Sequence, residues 1–110
     1  MQITTTDFIP GCNITNHLDT VFSEQILSIN AIKDVVHSIK GIFGAKMDAY
    51  VKEYRSIREQ TLADLEAQAA ALNADALIHL QLRLDQFVND GLIFVVCTAS
   101  AVAVTITPAT

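Results

Sequence analysis

The sequence predicts an α+β fold in a single domain over residues 1–110, a two-layer α/β subunit with short N-terminal strands, two helices (one long) and a C-terminal antiparallel β-hairpin. Three observations predict this class. The last third of the chain holds two runs of strand-forming residues around a turn. The middle of the chain repeats apolar residues at helical spacing. The length of 110 residues suits one domain better than two.

The N-terminal quarter predicts two short strands. Residues 2–6 (QITTT) are expected to form the first, and residues 10–13 (PGCN) a turn. Residues 14–22 are expected to form a second strand that pairs with the first. A first helix is expected between Glu24 and Phe43, because isoleucine and valine recur there at helical spacing, with Gly41 and Gly44 at its end.

A long second helix is expected from Asp48, which suits a helix start, to Asn73, which can supply a left-handed stop. At about 25 residues it would be roughly 37 Å long, so it would span or overhang a domain of this size. Its predicted buried stripe has seven members: Tyr50, Tyr54, Ile57, Thr61, Leu65, Ala69 and Leu72.

The C-terminal third predicts the hairpin. In residues 76–85, Ala76, Ile78, Leu80, Leu82 and Leu84 alternate with more polar residues, which is typical of a half-buried strand. The residues "VNDG" then indicate a turn. The final run is apolar on both faces, and one face carries only small or β-branched side chains, so a helix is expected to pack closely on it. The other face must meet a further layer or another subunit. Together with the length of the second helix, this doubly apolar strand predicts an oligomer.

Composition excludes several classes of function. The formal net charge is −5, and lysine and arginine are scattered, so binding to a nucleic-acid backbone is not expected. The apolar C-terminal run is shorter than the about 20 residues of a membrane span and ends at Pro108, so no membrane association is expected. Residues 1–7 do not look like a signal peptide, so Cys12 and Cys97 are expected to be reduced thiols of a cytoplasmic protein.

The order and spacing of several residues resemble the YbjQ-like family, which is catalogued as heavy-metal-binding. The likeness covers nearly the whole chain and holds without a gap from Asp19 to Leu80. Ser23 stands where the family has glycine, and five further family glycines are replaced by Ser28, Ala45, Asp48, Asn73 and Ala99. The matching positions are Glu24, Asn30, Asp34, Gly44, Ala49, Tyr50, Lys52, Arg55, Arg58, Ala74, Asp75, Ala76, Ala101 and Val102.

This resemblance implies a ring-like homopentamer, whose subunit contacts would cover the apolar C-terminal strand. It brings no catalytic residues with it. A soft divalent metal is the cofactor that the family description implies, and folding is not expected to require it.

Cys12, His17 and His79 are the candidate metal ligands. A structural zinc site needs about four nitrogen or sulfur ligands at close spacing, and the sequence has neither a CxxC nor an HxxxH motif. Cys12 and His17 are the only close pair in sequence, and the favoured explanation of them is an exposed turn thiol and a surface imidazole, because the ligands are not clustered. His79 is expected to share a polar strand face with Gln81, Arg83 and Asp85. If that face lines a ring axis, five copies of His79 would converge; otherwise it faces solvent.

A second candidate site is a polar cluster of Glu24, Tyr50, Arg55 and Arg58 at a subunit interface. Ion pairs on a helix surface would explain the same residues. The sequence has no phosphate-binding glycine loop, GxSxG or HExxH motif, so an enzyme is not expected.

The sequence therefore predicts a cytosolic homo-oligomeric binding module, pentameric by resemblance, which holds a heavy metal or small ligand at a subunit interface. The alternative is a structural scaffold for protein partners with no small ligand.

Overall fold

A computed structural model describes residues 1–28 and 43–109, and only the backbone of residues 43–50. The described chain is α+β, with one helix packed on a four-stranded sheet. In chain order, its elements are β1 (Gln2–Ile3), β2 (Cys12–Ser28), α1 (Phe43–Ala71), β3 (Ala76–Asn89) and β4 (Leu92–Pro108). The predicted α+β class and the C-terminal hairpin are confirmed.

The sheet is mixed, with strand order β1-β3-β4-β2. β1 pairs in parallel with β3, whereas β4 is antiparallel to both β3 and β2. The prediction that the two N-terminal strands pair with each other is therefore wrong. β2 pairs with β4 from one end of β2 to the other, from Cys12 opposite Pro108 to Ser28 opposite Phe94. β1 has only two residues, so β2 can form far more backbone hydrogen bonds with β4 than with β1.

The predicted first helix is wrong at its start, because β2 continues through Glu24 to Ser28. Adjacent apolar residues such as Ile26 and Leu27 fit a helix or a strand, and pairing with β4 decides between them. The rest of that predicted helix, residues 29–42, lies outside the described residues. Gly44 was expected to end it, but lies in the first turn of α1.

α1 begins at Phe43, five residues before the predicted Asp48. Four members of the predicted stripe are buried: Ile57, Thr61, Leu65 and Ala69. The expected stop is confirmed, because Asn73 has φ 61° and the Ala74 amide donates to the Ala69 carbonyl at 3.0 Å. Among the described residues, no helix is long and apolar enough to cross a membrane.

The core lies between α1 and one face of β4. Its β4 residues are small or β-branched, as predicted, and all are buried: Val95, Cys97, Ala99, Ala101 and Ala103. Ile57 packs near Val95 and Cys97, and Leu65 packs with the alanines. Small side chains allow this close approach of helix and sheet. Cys97 is thus a buried apolar side chain of the core, and Cys12 and Cys97 are both free thiols.

Both predicted turns are confirmed. Asp90 and Gly91 have φ of 53° and 73° and join β3 to β4 as a two-residue loop, which fits the twist of a type I′ turn. In the earlier turn, Gly11 has φ 76°, and the Cys12 amide donates to the Ile9 carbonyl at 3.1 Å.

A β-bulge divides β3, and the predicted alternation of this strand fails there. Ile78 lies opposite Val102 and Gln81 opposite Ser100, so His79 and Leu80 share one position of β4. His79 has φ 56°, which is the left-handed conformation of a bulge residue. The extra residue changes which face each side chain occupies. Leu77 and Leu80 therefore both pack on the α1 side, whereas Ile78 packs on the other side.

α1 lies over β2 and β4 and leaves the second half of β3 uncovered. From Gln81 to Asn89, every residue but Leu82 is exposed. The Tyr54 hydroxyl of the helix donates a hydrogen bond to Gln86 Oε1 in this part of β3, at 2.5 Å. The hairpin therefore projects, which fits the long principal axis of 60 Å and the 17.9 Å radius of gyration. A compact chain of this length would have a radius of gyration of about 13 Å.

Ser23 and Thr61 predict opposite effects of removing a buried hydroxyl. Ser23 is 3% exposed, and its Oγ has no hydrogen-bond partner among the described residues. The Thr61 hydroxyl is also buried and donates to the Ile57 carbonyl at 2.8 Å. Ser23→Ala should raise the free energy of unfolding by about 1 kcal/mol, because it removes an unsatisfied polar group. Thr61→Val should lower it by about 1 kcal/mol. Urea unfolding measures both, and a destabilised Ser23→Ala variant would show that the hydroxyl has a partner.

The backbone conformation of His79 predicts a second pair of effects. His79→Val should lower the free energy of unfolding by about 1–3 kcal/mol, because a β-branched side chain is strained at positive φ. His79→Gly should change it little, since glycine adopts this conformation freely. Gln81→Val is the matched control, because Gln81 is exposed on the same strand and lacks positive φ. Equal stabilities for the two valine variants would argue against the left-handed bulge.

Candidate binding face

The face of the sheet opposite α1 forms the candidate binding face. In an antiparallel ladder, residues directly opposite each other share a face, and alternate residues of a strand share it too. The register therefore places side chains of β2, β4 and β3 in rows across the sheet. In the order β2, β4, β3, the rows are Phe22–Ser100–Gln81, Glu24–Thr98–Arg83, Ile26–Val96–Asp85 and Ser28–Phe94–Phe87. These twelve residues are called the open face below.

The same side of the sheet is covered at its other end by the N-terminal segment of the chain. Ile9 is buried there against Ala76, Ile78 and Val104. The segment is held by backbone hydrogen bonds, including those from the Leu80 amide to the Thr4 carbonyl and from the His79 amide to the Thr6 carbonyl, each 2.9 Å. The described residues thus cover one half of this side, and the open face is the half that they leave uncovered.

Large apolar side chains remain exposed on and beside the open face. Ile26 is 67% exposed, Phe22 64% and Phe87 44%. The Phe87 ring stacks on Phe94 with centroids 5.1 Å apart, which aligns both rings on this face. On the α1 side of the same hairpin, beyond the helix, Val88 is 66% exposed. Apolar side chains exposed together in this way are typical of an interaction surface.

A cavity of about 250 Å³ lies on the open face. It is lined by Phe22, Ser23, Glu24, Gln81, Thr98, Ala99 and Ser100. The short side chains of Thr98 and Ser100 on β4 make its floor, because longer ones flank them on β2 and β3. A cavity at or below the lower end of the usual range for ligand pockets fits only a small molecule.

The charged groups of the open face are unevenly paired. Arg83 Nε lies 3.1 Å from Asp85 Oδ2, and both side chains are more than half exposed, so this ion pair adds little stability in water. Glu24 lies on the other side of Thr98 from Arg83. Among the described residues, Glu24 makes no ion pair and no hydrogen bond through its side chain. Its carboxylate therefore borders the cavity without a partner.

The predicted polar cluster is not brought together within one subunit. Glu24 points away from α1, whereas Arg55 and Arg58 are exposed on α1 itself, in the other layer. The side chain of Tyr50 lies outside the described residues. Any contact between Glu24 and these arginines would have to join different copies of the chain.

The candidate metal ligands are also separated. Cys12 lies opposite Pro108 and His17 opposite Val104, which places them roughly 13 Å apart along β2. Cys12 packs against the apolar cluster around Ile9, and His17 is exposed. His79 is exposed at the β3 bulge and is not aligned with Gln81, contrary to the prediction of a shared polar face. Within the part of the chain that the structure describes, no three of the His, Cys, Asp and Glu side chains could hold one metal ion. A metal site does not fit a single described subunit.

The residues of the cavity were missed by the sequence predictions, apart from Glu24. The predicted second strand ends at residue 22 and the predicted first helix starts at Glu24, within the part of β2 that lines the cavity. The side chains that lie beside one another across β2, β4 and β3 therefore could not be matched from the sequence. Residues 21–28 (VFSEQILS) do not alternate apolar and polar side chains, so the sequence carries no strand signal at this point.

Comparison with known proteins identifies the family. A YbjQ family model, described as "Putative heavy-metal-binding", matches residues 1–105. A UPF0145 protein of Actinobacillus pleuropneumoniae serotype 3 (strain JL03) is 35% identical over 105 residues, which cover 94% of this chain and 99% of that protein. A UPF0145 protein of Persephonella marina (strain DSM 14350 / EX-H1) is 35% identical over 102 residues, which cover 93% and 99%.

A solved structure shows the same fold. It is a protein of unknown function from Pediococcus pentosaceus ATCC 25745, assigned to the DUF74 family. It superposes with a TM-score of 0.67 over 97% of this chain and 98% of that one, at 18% identity. The fold, the matched family model and the relatives agree, and the chain belongs to the YbjQ (UPF0145) family.

Proposed function

We propose that this chain is a non-enzymatic, homo-oligomeric binding module, in which a second copy covers the open face and a small ligand is held between copies. The observation that carries the proposal is the exposure of Phe22, Ile26 and Phe87 on a face that the described chain does not cover. Burying apolar surface contributes about 25 cal/mol per Å², so mutual coverage by copies would be favourable.

The charges of the open face support a second copy as the occupant. The face carries an unpaired acidic group, Glu24, on β2, and the basic Arg83 on β3. In a head-to-tail contact, a different surface of a second copy meets this face, and the exposed Arg55 and Arg58 of α1 carry the charge that complements Glu24. A nucleic acid is a poor occupant, because the net charge of the chain is −5.

The strand edges support a head-to-tail arrangement. In the described chain, β2 and β3 lie on the two sides of β4, and β1 pairs only with the start of β3. Among the described residues, 24–28 of β2 and 81–89 of β3 each have one edge without a neighbouring strand, and neither stretch contains a bulge. Nearer the start of β2 the edge is occupied, because the Phe22 carbonyl accepts a hydrogen bond from Gln68 Nε2 of α1. Free edges favour pairing with another chain, and a contact between two different surfaces closes into a ring when the rotation permits. A ring of five is the size that the family resemblance implies.

In this proposal a heavy metal binds only between copies of the chain, where residues of more than one copy coordinate it. The family description supports it, whereas the separation of Cys12, His17 and His79 means that no single described subunit supplies the ligands. The same coordinating residue from several subunits, such as His79, would have to meet at a symmetry axis of the assembly.

Introducing a charge on the open face should dissociate the assembly. Ile26→Asp should weaken association at least tenfold, because a carboxylate would be buried without a partner. Phe87→Ala should act in the same direction through lost apolar contact. Leu72→Asp is the matched control, since Leu72 is 38% exposed at the end of α1, away from the open face. Sedimentation velocity measures the mass of each variant, and circular dichroism checks its fold. A folded single chain in the wild type, or an unchanged mass in both open-face variants, would contradict the proposal.

A further inference from the structure

The cavity on the open face has the chemistry of a cation site. Of the seven residues that line it, only Glu24 is ionisable, so its lining carries one negative charge and no positive one. The nearest basic residue in the rows of the sheet is Arg83, across Thr98, and its guanidinium is bound to Asp85. The Glu24 carboxylate is therefore left for a ligand.

The other lining groups favour an organic cation over a bare metal ion. The one carboxylate and the neutral side-chain oxygens of Gln81, Thr98 and Ser100 fall short of the six to eight oxygen ligands that Ca²⁺ takes. The Thr98 and Ser100 hydroxyls and the Gln81 amide offer neutral donors and acceptors beside the carboxylate. The exposed Phe22 ring forms an apolar wall, and the face of an aromatic ring attracts a cation.

We propose that this cavity binds a small organic cation, a primary ammonium on a short alkyl chain. The ammonium donates to the Glu24 carboxylate and to the hydroxyls of Thr98 and Ser100, and the alkyl chain lies against Phe22. The volume of about 250 Å³ limits the ligand to a short chain.

The affinity should depend on assembly, and in this respect the inference rests on the proposed function. Glu24 and Phe22 are both exposed in the single chain, where water screens an ion pair and weakens a cation–π contact. A second copy on the open face would exclude water from the cavity and strengthen both contacts. By linkage, a ligand that binds the assembled form better also shifts the equilibrium towards assembly.

Calorimetric titration with n-butylammonium tests the site, with 1-butanol as the neutral probe of the same shape. The wild-type protein should bind butylammonium at least tenfold more tightly than butanol. Glu24→Gln should abolish that preference, because it removes the charge and keeps the shape. Glu59→Gln is the matched control, since it removes the same charge from an exposed position on α1, and it should retain the preference.

Sedimentation of each sample, with and without butylammonium, separates the possible failures. An assembled wild type without preference for the cation would overturn the cation site and leave the proposed function standing. A single-chain wild type would overturn the proposed function. If Glu24→Gln dissociates the assembly without any ligand present, the cation is a basic side chain of the second copy, and the free-ligand site is overturned. Ligand preference lost in Glu24→Gln, with the assembled mass unchanged, supports the inference.

Discussion

The close packing of α1 on the small residues of β4 is the constraint on which the rest of the structure depends. Ala99, Ala101 and Ala103 bring the helix onto β4 and β2, and this position leaves the second half of β3 beyond its reach. The N-terminal segment covers the opposite side of the sheet only around Ile9. Within residues 1–28 and 43–109, α1 and the N-terminal segment thus cover only part of the ribbon formed by β2, β4 and β3, and the open face with its cavity is left uncovered.

Elements with strong local signals could be predicted from the sequence. Asn73 ends α1, and Asp90 with Gly91 turns the hairpin, because only a few residue types adopt positive φ readily. The small-residue face of β4 followed from periodicity, as did four of the seven predicted stripe residues of α1, whereas Leu72 in that stripe is exposed. Family membership also followed from residue order and spacing, and the matched family model spans residues 1–105.

Features that depend on pairing between distant strands could not be predicted. Ile26 and Leu27 fit a helix or a strand, and only the ladder with β4 makes them part of β2. The bulge at His79 leaves no sequence signature, because histidine occupies a position where glycine is usual. Both errors concern the open face. The strand end at Glu24 and the face of Gln81 had to be placed correctly before the cavity between them could be recognised.

We propose that copies of the chain shield the surface that α1 and the N-terminal segment leave exposed. The most direct test of this proposal is the urea midpoint of unfolding, measured over a hundredfold range of protein concentration. If folding is coupled to assembly, the midpoint rises with concentration by mass action. A midpoint that stays constant over that range would show that the single chain is stable with its open face in water, and would contradict the account.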